Sequence, residues 1–350
     1  MMITLLILLF LTDSIITSVC VSKIYDYSLS GSSSIFKEFT SFILSSQQNI
    51  LQTLEKEENN KVLFDRDYWE KRDPEAEATN LVSYGLTACL QDGALLEKGG
   101  VSTTIVTGIL SKERAAAISS RDQSISGIEA GCKYYASALS LVLHSRSPLV
   151  PTFRSDVRYF EVEKKNGQRS GFFGGGADLT PYTLCDNEIK NFHKQYKQIC
   201  DRYDSELYRK LKVNCDKYFY IPARLEHRGT GGIFFDDLSE LSGKGIESAM
   251  EFTKQVCEEF MPSYLPLTKL NSLPYSEEQR NFQLLRRGRY IEFNLLYDRG
   301  VRFGLVPGGR IEAVMISCPP LVRWIYNYVA KEGSEEARLI SILKNPIDWV

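Results

Sequence analysis

The sequence predicts an α+β fold built around an antiparallel sheet. Two observations carry that expectation. Strand-like segments follow one another through short turns, while helical segments come in separate blocks, unlike the βαβ alternation that builds parallel sheets. No internal repeat and no break in composition divides residues 35–350, so they read as one domain. With 350 residues, 43% apolar and 25% charged, the chain has material for a large core and is not a disordered polymer.

Residues 1–22 read as a signal peptide or hydrophobic anchor, and 23–34 as a linker around the Gly/Ser-rich stretch Ser28–Ser34. The apolar run Leu5–Leu11 is too short to span a bilayer, which takes about 20 residues. It fits a signal-peptide core, with Ser18 and Ser22 near a cleavage point, yet no Lys or Arg precedes it. A mitochondrial leader should be Arg-rich, and no arginine occurs before Arg66.

Phe36, Phe39, Phe42, Ile43, Ile50, Leu51 and Leu54 recur mostly three and four apart, predicting one amphipathic helix that covers the core. Leu86–Leu90 and Val101–Gly108 are β-rich. Ala136–Leu143 reads as helix or strand, Val157–Glu163 as strand, and Phe172–Leu179 carries a glycine cluster. Glu188–Lys217 is helical in spacing. Lys217–Ile221 and Gly232–Phe235 are short strands, Glu247–Glu259 a helix, and Leu265–Asn281, polar with two prolines, a loop. Ile291, Phe293, Leu295 and Tyr297 alternate with polar residues, predicting a half-buried strand over Arg289–Tyr297. Arg302–Val306 and Arg310–Ser317 are read as strands joined by Pro307-Gly308-Gly309. After Pro319-Pro320 a helix is expected from Leu321.

Composition excludes several chemistries. Basic and acidic residues number 42 and 44, so no global field attracts nucleic acid, and Arg286–Arg289 is only a local basic patch without a stacking module. The eight cysteines are scattered with no C-x-x-C, which argues against a structural zinc site. His144, His193 and His227 are the only histidines. A three-histidine metal site is one reading of them, and structural histidines are the other.

Three clusters have the residue types for chemistry. In Gly174-Gly175-Gly176-Ala177-Asp178-Leu179-Thr180-Pro181-Tyr182, glycines let backbone approach a ligand, with one aspartate beyond them. The plain alternative is a glycine-rich turn with Asp178 as a cap. Arg158, Arg224, Arg228 and Arg310 lie in a strand or beside glycines, an arrangement suited to carboxylate or phosphate, against the alternative of surface ion pairs. Phe234-Phe235-Asp236-Asp237-Leu238 offers paired carboxylates, read as a turn with helix-capping acids.

Read together and in order, these stretches resemble oxygen-dependent coproporphyrinogen III oxidases, enzymes of haem biosynthesis. The resemblance runs through Leu90-Gln91-Asp92-Gly93 and Glu97–Val101, Arg158–Val162, Gly174–Tyr182, GGIFFDDL at Gly231–Leu238, RRGRYIEFNLLYDRGVRFG at Arg286–Gly304 and Asn345–Val350. It implies a large flat antiparallel sheet with helices on both faces. It also implies a homodimer with the C-terminal strand region at its interface, and two oxidative decarboxylations that turn propionates into vinyl groups. Molecular oxygen would be the co-substrate, with no organic cofactor. A tetrapyrrole carrying four carboxylates suits an arginine cluster, and its pyrrole N–H groups suit one central carboxylate.

By this resemblance Asp178 is the pyrrole-binding aspartate, and Ser140, Asp156, Arg158, Gly308, Gly309 and Arg310 bind substrate. Arg154 stands at the proton-donor position, where the family has histidine, and Asp156 where it has asparagine. Further family histidines fall on Ala223 and Thr107, while His144 and His193 keep their places. Arginine does not release its proton at physiological pH, so two readings stand. One is an active oxidase, with His227 compensating from the same strand face as Ala223. The other is a catalytically impaired relative that still binds a porphyrinogen or porphyrin. The N-terminus points to the secretory pathway or membrane association, the resemblance to mitochondrion or cytoplasm.

Overall fold

The computed structural model describes residues 31–72, 82–112, 115–116, 128–305 and 310–350. The expectations for residues 1–22 and for Gly308 and Gly309 fall outside that range. No helix among the described residues is long and apolar enough to cross a membrane.

A seven-stranded, wholly antiparallel sheet organises the fold. Its strands are β1 (Asp65–Arg72), β2 (Val82–Gln91), β3 (Leu96–Ile109), β4 (Lys133–Ser145), β5 (Thr152–Glu163), β6 (Arg169–Thr180) and β9 (Gly231–Leu238), neighbours in that order. A two-stranded hairpin, β7 (Tyr220–Ile221) and β8 (Glu226–His227), is inserted before the last strand. The predicted α+β antiparallel architecture is therefore present. Strand β1 had no counterpart in the sequence reading because DRDYWEKR is mostly charged, as edge strands often are.

One face of the sheet is covered by helices α1 (Ser34–Glu57), α2 (Asp186–Cys200), α4 (Gly245–Glu258) and α5 (Phe260–Thr268). The amphipathic spacing predicted α1, which Ser33 caps by accepting from the Phe36 amide at 3.1 Å. Its buried stripe holds Phe36, Phe39, Ile43, Ile50, Leu51 and Leu54, packed on Val101, Ile105, Leu139, Leu141 and Tyr159. Gln47 interrupts this apolar layer, fully buried. Its amide donates to the carbonyls of Leu86 (3.0 Å) and Val101 (3.1 Å) and accepts from the Thr103 hydroxyl (2.7 Å), leaving no orphan.

Helix α3 (Leu207–Tyr218) and helix α6 (Glu277–Leu296) cover part of the opposite face, where Cys215, Phe219, Phe234 and Phe293 form a second apolar cluster. The helical stretch predicted over Glu188–Lys217 is thus two helices, α2 and α3; α3 runs along the edge strand β9 and gives Leu207, Tyr208 and Leu211 to the core under α1 and Cys215 to the second cluster.

The last third departs from expectation. The segment read as a strand over Arg289–Tyr297 is the end of α6. The segments 302–306 and 310–317 hold the short helices α7 (Arg299–Gly304) and α8 (Ile311–Met315). The expected loop 265–281 contains the end of α5, a 3₁₀ turn (Lys269–Ser272) and the start of α6, which Ser276 and Gln279 begin with a reciprocal capping box. No helix begins at Leu321: residues 321–334 are irregular, the last helix is α9 (Glu335–Lys344), and residues after it have no regular structure, so the described C-terminus supplies no strand.

Candidate functional site

Side chains alternate across a strand, and the register places most of the predicted site residues on the sheet face away from α1. Directly paired residues give three parallel rows. The first runs Gly100, Val142, Arg154, Asp178, Gly232. The second runs Asp67, Thr87, Ser102, Ser140, Asp156, Gly176, Phe234. The third runs Trp69, Gly85, Thr104, Ala138, Arg158, Gly174. Paired residues lie about 4.5–5.5 Å apart at Cα. Glycine, alanine, serine and threonine fill the middle of these rows and make a shallow floor, with Ser140 exposed at mid-strand. The glycine cluster is therefore part of strand β6 and not the turn that composition alone favoured.

One wall carries an unbroken run of ion pairs. Arg154 Nη1 lies 3.0 Å from Asp156, which also meets Arg158. Arg158 reaches Asp236 at 3.1 Å, and Arg299 closes on Asp236 at 3.3 Å. Asp236 thus stays in strand β9 as an arginine partner, in place of the expected capping role. Phe234 stacks on Tyr218 with centroids 4.3 Å apart, and Arg299 lies 5.0 Å over the Tyr218 ring. Burial works against the Arg154 charge, but Asp156, Asp298 and Asp178 outweigh it and hold the guanidinium above its already high ordinary value. Arg154 is a fixed cation here and not a proton donor.

Asp178 is 2% exposed, and its Oδ2 accepts from Arg228 Nη2 at 2.6 Å. Arg228 is itself enclosed by the rings of Phe219 (4.0 Å), Tyr290 (4.6 Å) and Phe293 (5.0 Å). Desolvated cation–π contacts of this kind contribute about 2 kcal/mol or more. The other carboxylate oxygen, Oδ1, is buried without a hydrogen-bond partner. A buried acceptor left open costs free energy unless a ligand fills it.

Arg310 sits across the floor, at the opposite edge of the sheet. It pairs with Asp67 and lies 5.3 Å over the Trp69 ring. The structure brings Ser140, Arg154, Asp156, Arg158 and Asp178 together on one face, with Arg310 on the far rim.

The histidines and the basic patch fare differently. His144 and His193 are both fully buried and in no metal-ligating cluster, and no group of three or more such side chains occurs among the described residues. His144 Nδ1 meets the Thr152 hydroxyl and Nε2 the Ser317 carbonyl, both at 2.9 Å. His193 Nδ1 meets the Tyr208 hydroxyl at 2.8 Å. Burial, with Arg287, Lys98 and Arg228 nearby, pushes the His144 pKa well down, and burial does the same to His193.

His227 does not share a strand face with Ala223, which lies in the turn between β7 and β8. Its Nδ1 is bonded to the Leu343 carbonyl at 2.8 Å, so it is tied to α9. Thr107 lies on the α1 face, where its hydroxyl donates to the Val82 carbonyl. The Arg286–Arg289 patch is internal: Arg286 pairs with Glu226 and Arg287 with Glu97, each at 2.6 Å.

Sequence reasoning missed two residues of this site, Asp298 and Arg299, which lie between the two segments read as strands, and it singled out Arg228 without matching it to Asp178. The repeated Gly229, Gly231 and Gly232 after Arg228 was the available signal. A Cβ at Gly229 would stand 2.1 Å from the Leu179 carbonyl oxygen, so only glycine lets the chain bring Arg228 this close to β6.

Comparison with known proteins gives the family. A family model described as coproporphyrinogen III oxidase matches residues 38–349. Among curated relatives, the oxygen-dependent coproporphyrinogen-III oxidase of Drosophila melanogaster is 43% identical over 310 residues, covering 88% of this chain and 76% of that protein. The mitochondrial protein of that name from Rattus norvegicus is 41% identical over 289 residues, 82% of this chain and 63% of the rat protein. That from Francisella tularensis subsp. holarctica (strain LVS) is 38% identical over 314 residues, 89% of this chain and 98% of the bacterial one.

Proposed function

The chain belongs to the coproporphyrinogen III oxidase family, and we propose on that premise that it converts coproporphyrinogen III to protoporphyrinogen IX with dioxygen as oxidant and no organic cofactor. Each step turns a propionate, –CH2CH2COO⁻, into a vinyl group, releasing CO2, one proton and two electrons, and dioxygen takes the electrons.

The observation that carries this reading is the unpartnered Oδ1 of Asp178 at the edge of a floor of small side chains. A macrocycle with pyrrole N–H groups turned inward supplies the missing donors. The floor admits its breadth. Arg154, Arg158 and Arg310 offer guanidinium groups to its carboxylates. A buried carboxylate fixed beside this floor stabilises positive charge developing on the pyrrole during oxidation.

The chain works as a homodimer. The support is an exposed apolar strip after α8, in which Trp324 is 54%, Tyr326 92% and Val329 85% accessible.

The test is coproporphyrinogen III prepared without oxygen and then mixed with the purified protein in air. A divinyl product with CO2 release is expected. Binding without CO2, or no binding, refutes the reading.

A further inference from the structure

We propose that His144 is a positioning residue for substrate carboxylates, pinning the segment Arg310–Ser317 over the sheet and through it placing Arg310. The inference rests on the tetrapyrrole reading only for what Arg310 binds.

The segment Arg310–Ser317 is held to the site face of the sheet at three points. Lys98 Nζ donates to the Met315 carbonyl at 3.2 Å. Ile316 occupies the space above Gly100, where a Cβ would meet its side chain at 2.3 Å. His144 Nε2 meets the Ser317 carbonyl at 2.9 Å. Arg310 begins the same segment and reaches Asp67 and Trp69 on the edge strand. The segment therefore bridges the sheet from β4 to β1, with the imidazole at one end and the guanidinium at the other.

The proton arrangement follows from the partners. A carbonyl only accepts, so Nε2 carries the hydrogen. Burial first, and the nearby charges of Arg287, Lys98 and Arg228 after it, keep the second nitrogen unprotonated. Nδ1 thus accepts from the Thr152 hydroxyl, and that oxygen accepts in turn from the Tyr182 hydroxyl at 2.5 Å. The result is a directed chain from Tyr182 through Thr152 and His144 to Ser317, with one tautomer throughout. The ring also meets Tyr290 edge-on, with centroids 5.1 Å apart, and Tyr290 packs on the arginine that holds Asp178. One imidazole thereby contacts both the Arg310–Ser317 segment and the ring that packs on Arg228.

Two measurements on the full chain test this, with coproporphyrin III, the oxidised fluorescent tetracarboxylate, as the binding probe. In His144→Gln, amide exchange is expected to rise in the peptide 310–318 while that of α1 stays as in the native chain. Probe affinity is expected to fall about tenfold, in line with loss of one charge-assisted contact. Arg310→Ala should weaken binding similarly, and His144→Gln/Arg310→Ala no further than Arg310→Ala alone. Additive losses, or unchanged exchange at 310–318, overturn the proposal. Absence of probe binding by the native chain overturns the tetrapyrrole reading, whereas the pin itself is judged on exchange.

Discussion

Arg228 and Asp178 form an ion pair 2.6 Å long in which neither side chain has appreciable contact with water. Removing one partner of such a pair strands the other. Asp178→Asn is expected to cost about 3–5 kcal/mol of stability and to abolish turnover. Pairing it with Arg228→Met should recover part of the stability and none of the activity. Urea denaturation of the single and double variants measures the first effect, and product formation the second.

Acid should destabilise the protein well above the carboxylate range. His144 and His193 are held neutral in the folded chain, with pKa values well below the ordinary one. In the unfolded chain each binds a proton below about pH 6.5. The unfolded state then carries more protons, so stability rises with pH in this window and falls as pH drops below it. Two such groups give a slope of about 2.7 kcal/mol per pH unit. Urea midpoints measured from pH 7 down to 5 should show the decline, and His193→Phe should halve the slope. A halved slope would mean that one ring protonates without unfolding, and a flat profile that both do.

Gly232 is paired with Asp178 across β6 and β9, and a Cβ there would lie 1.9 Å from the Ala177 carbonyl oxygen. No side-chain rotation relieves a clash with backbone. Gly232→Ala is expected to lower stability by at least about 1–3 kcal/mol and to suppress turnover by displacing the carboxylate. Thermal unfolding, with activity assayed below the transition, separates the two losses.

The apolar strip containing Trp324 and Tyr326 should decide oligomeric state. Sedimentation of the native chain is expected to give a dimer. Trp324→Glu/Tyr326→Glu should give a monomer with an unchanged far-ultraviolet spectrum. A native monomer would refute the assignment of this strip to a dimer interface.

Part of the sheet was legible in the sequence because its strands alternate or run apolar and turns separate them, but the charged β1 had no counterpart, β4 stayed open between helix and strand, and the glycines of β6 favoured a turn. Strand parity alone places Arg154, Asp156 and Arg158 on one face. The C-terminal third was misread for a specific reason. Helix α6 buries Phe282, Leu285, Arg286, Arg289, Tyr290 and Phe293, a helical stripe with arginines in it. Arg286 and Arg289 are paired with Glu226 and Glu292, and the neighbouring buried Arg287 with Glu97, acids distant in sequence or on the same helix. A reading by hydropathy removes them from the stripe, and the remaining Ile291, Phe293 and Leu295 mimic a strand. Ser276 with Gln279, three residues on, was the overlooked helix-start signal. For the same reason Arg228 could not be matched to Asp178: it is positioned by the short hairpin Tyr220–His227 just before it and by three rings, none of which leaves a periodic trace.

The alternation that sorts residues between the two faces also acts as a proofreading device. Sliding β5 by one position against β6 would drive Arg154, Asp156 and Arg158 under α1 and lift Phe153, Val157 and Tyr159 into the open trough. Such a chain would bury unpaired charge and expose aromatic rings at once, and it could not persist as a folded but inactive species. Register errors in this sheet should therefore show up as fewer folded molecules and not as a folded, inactive population.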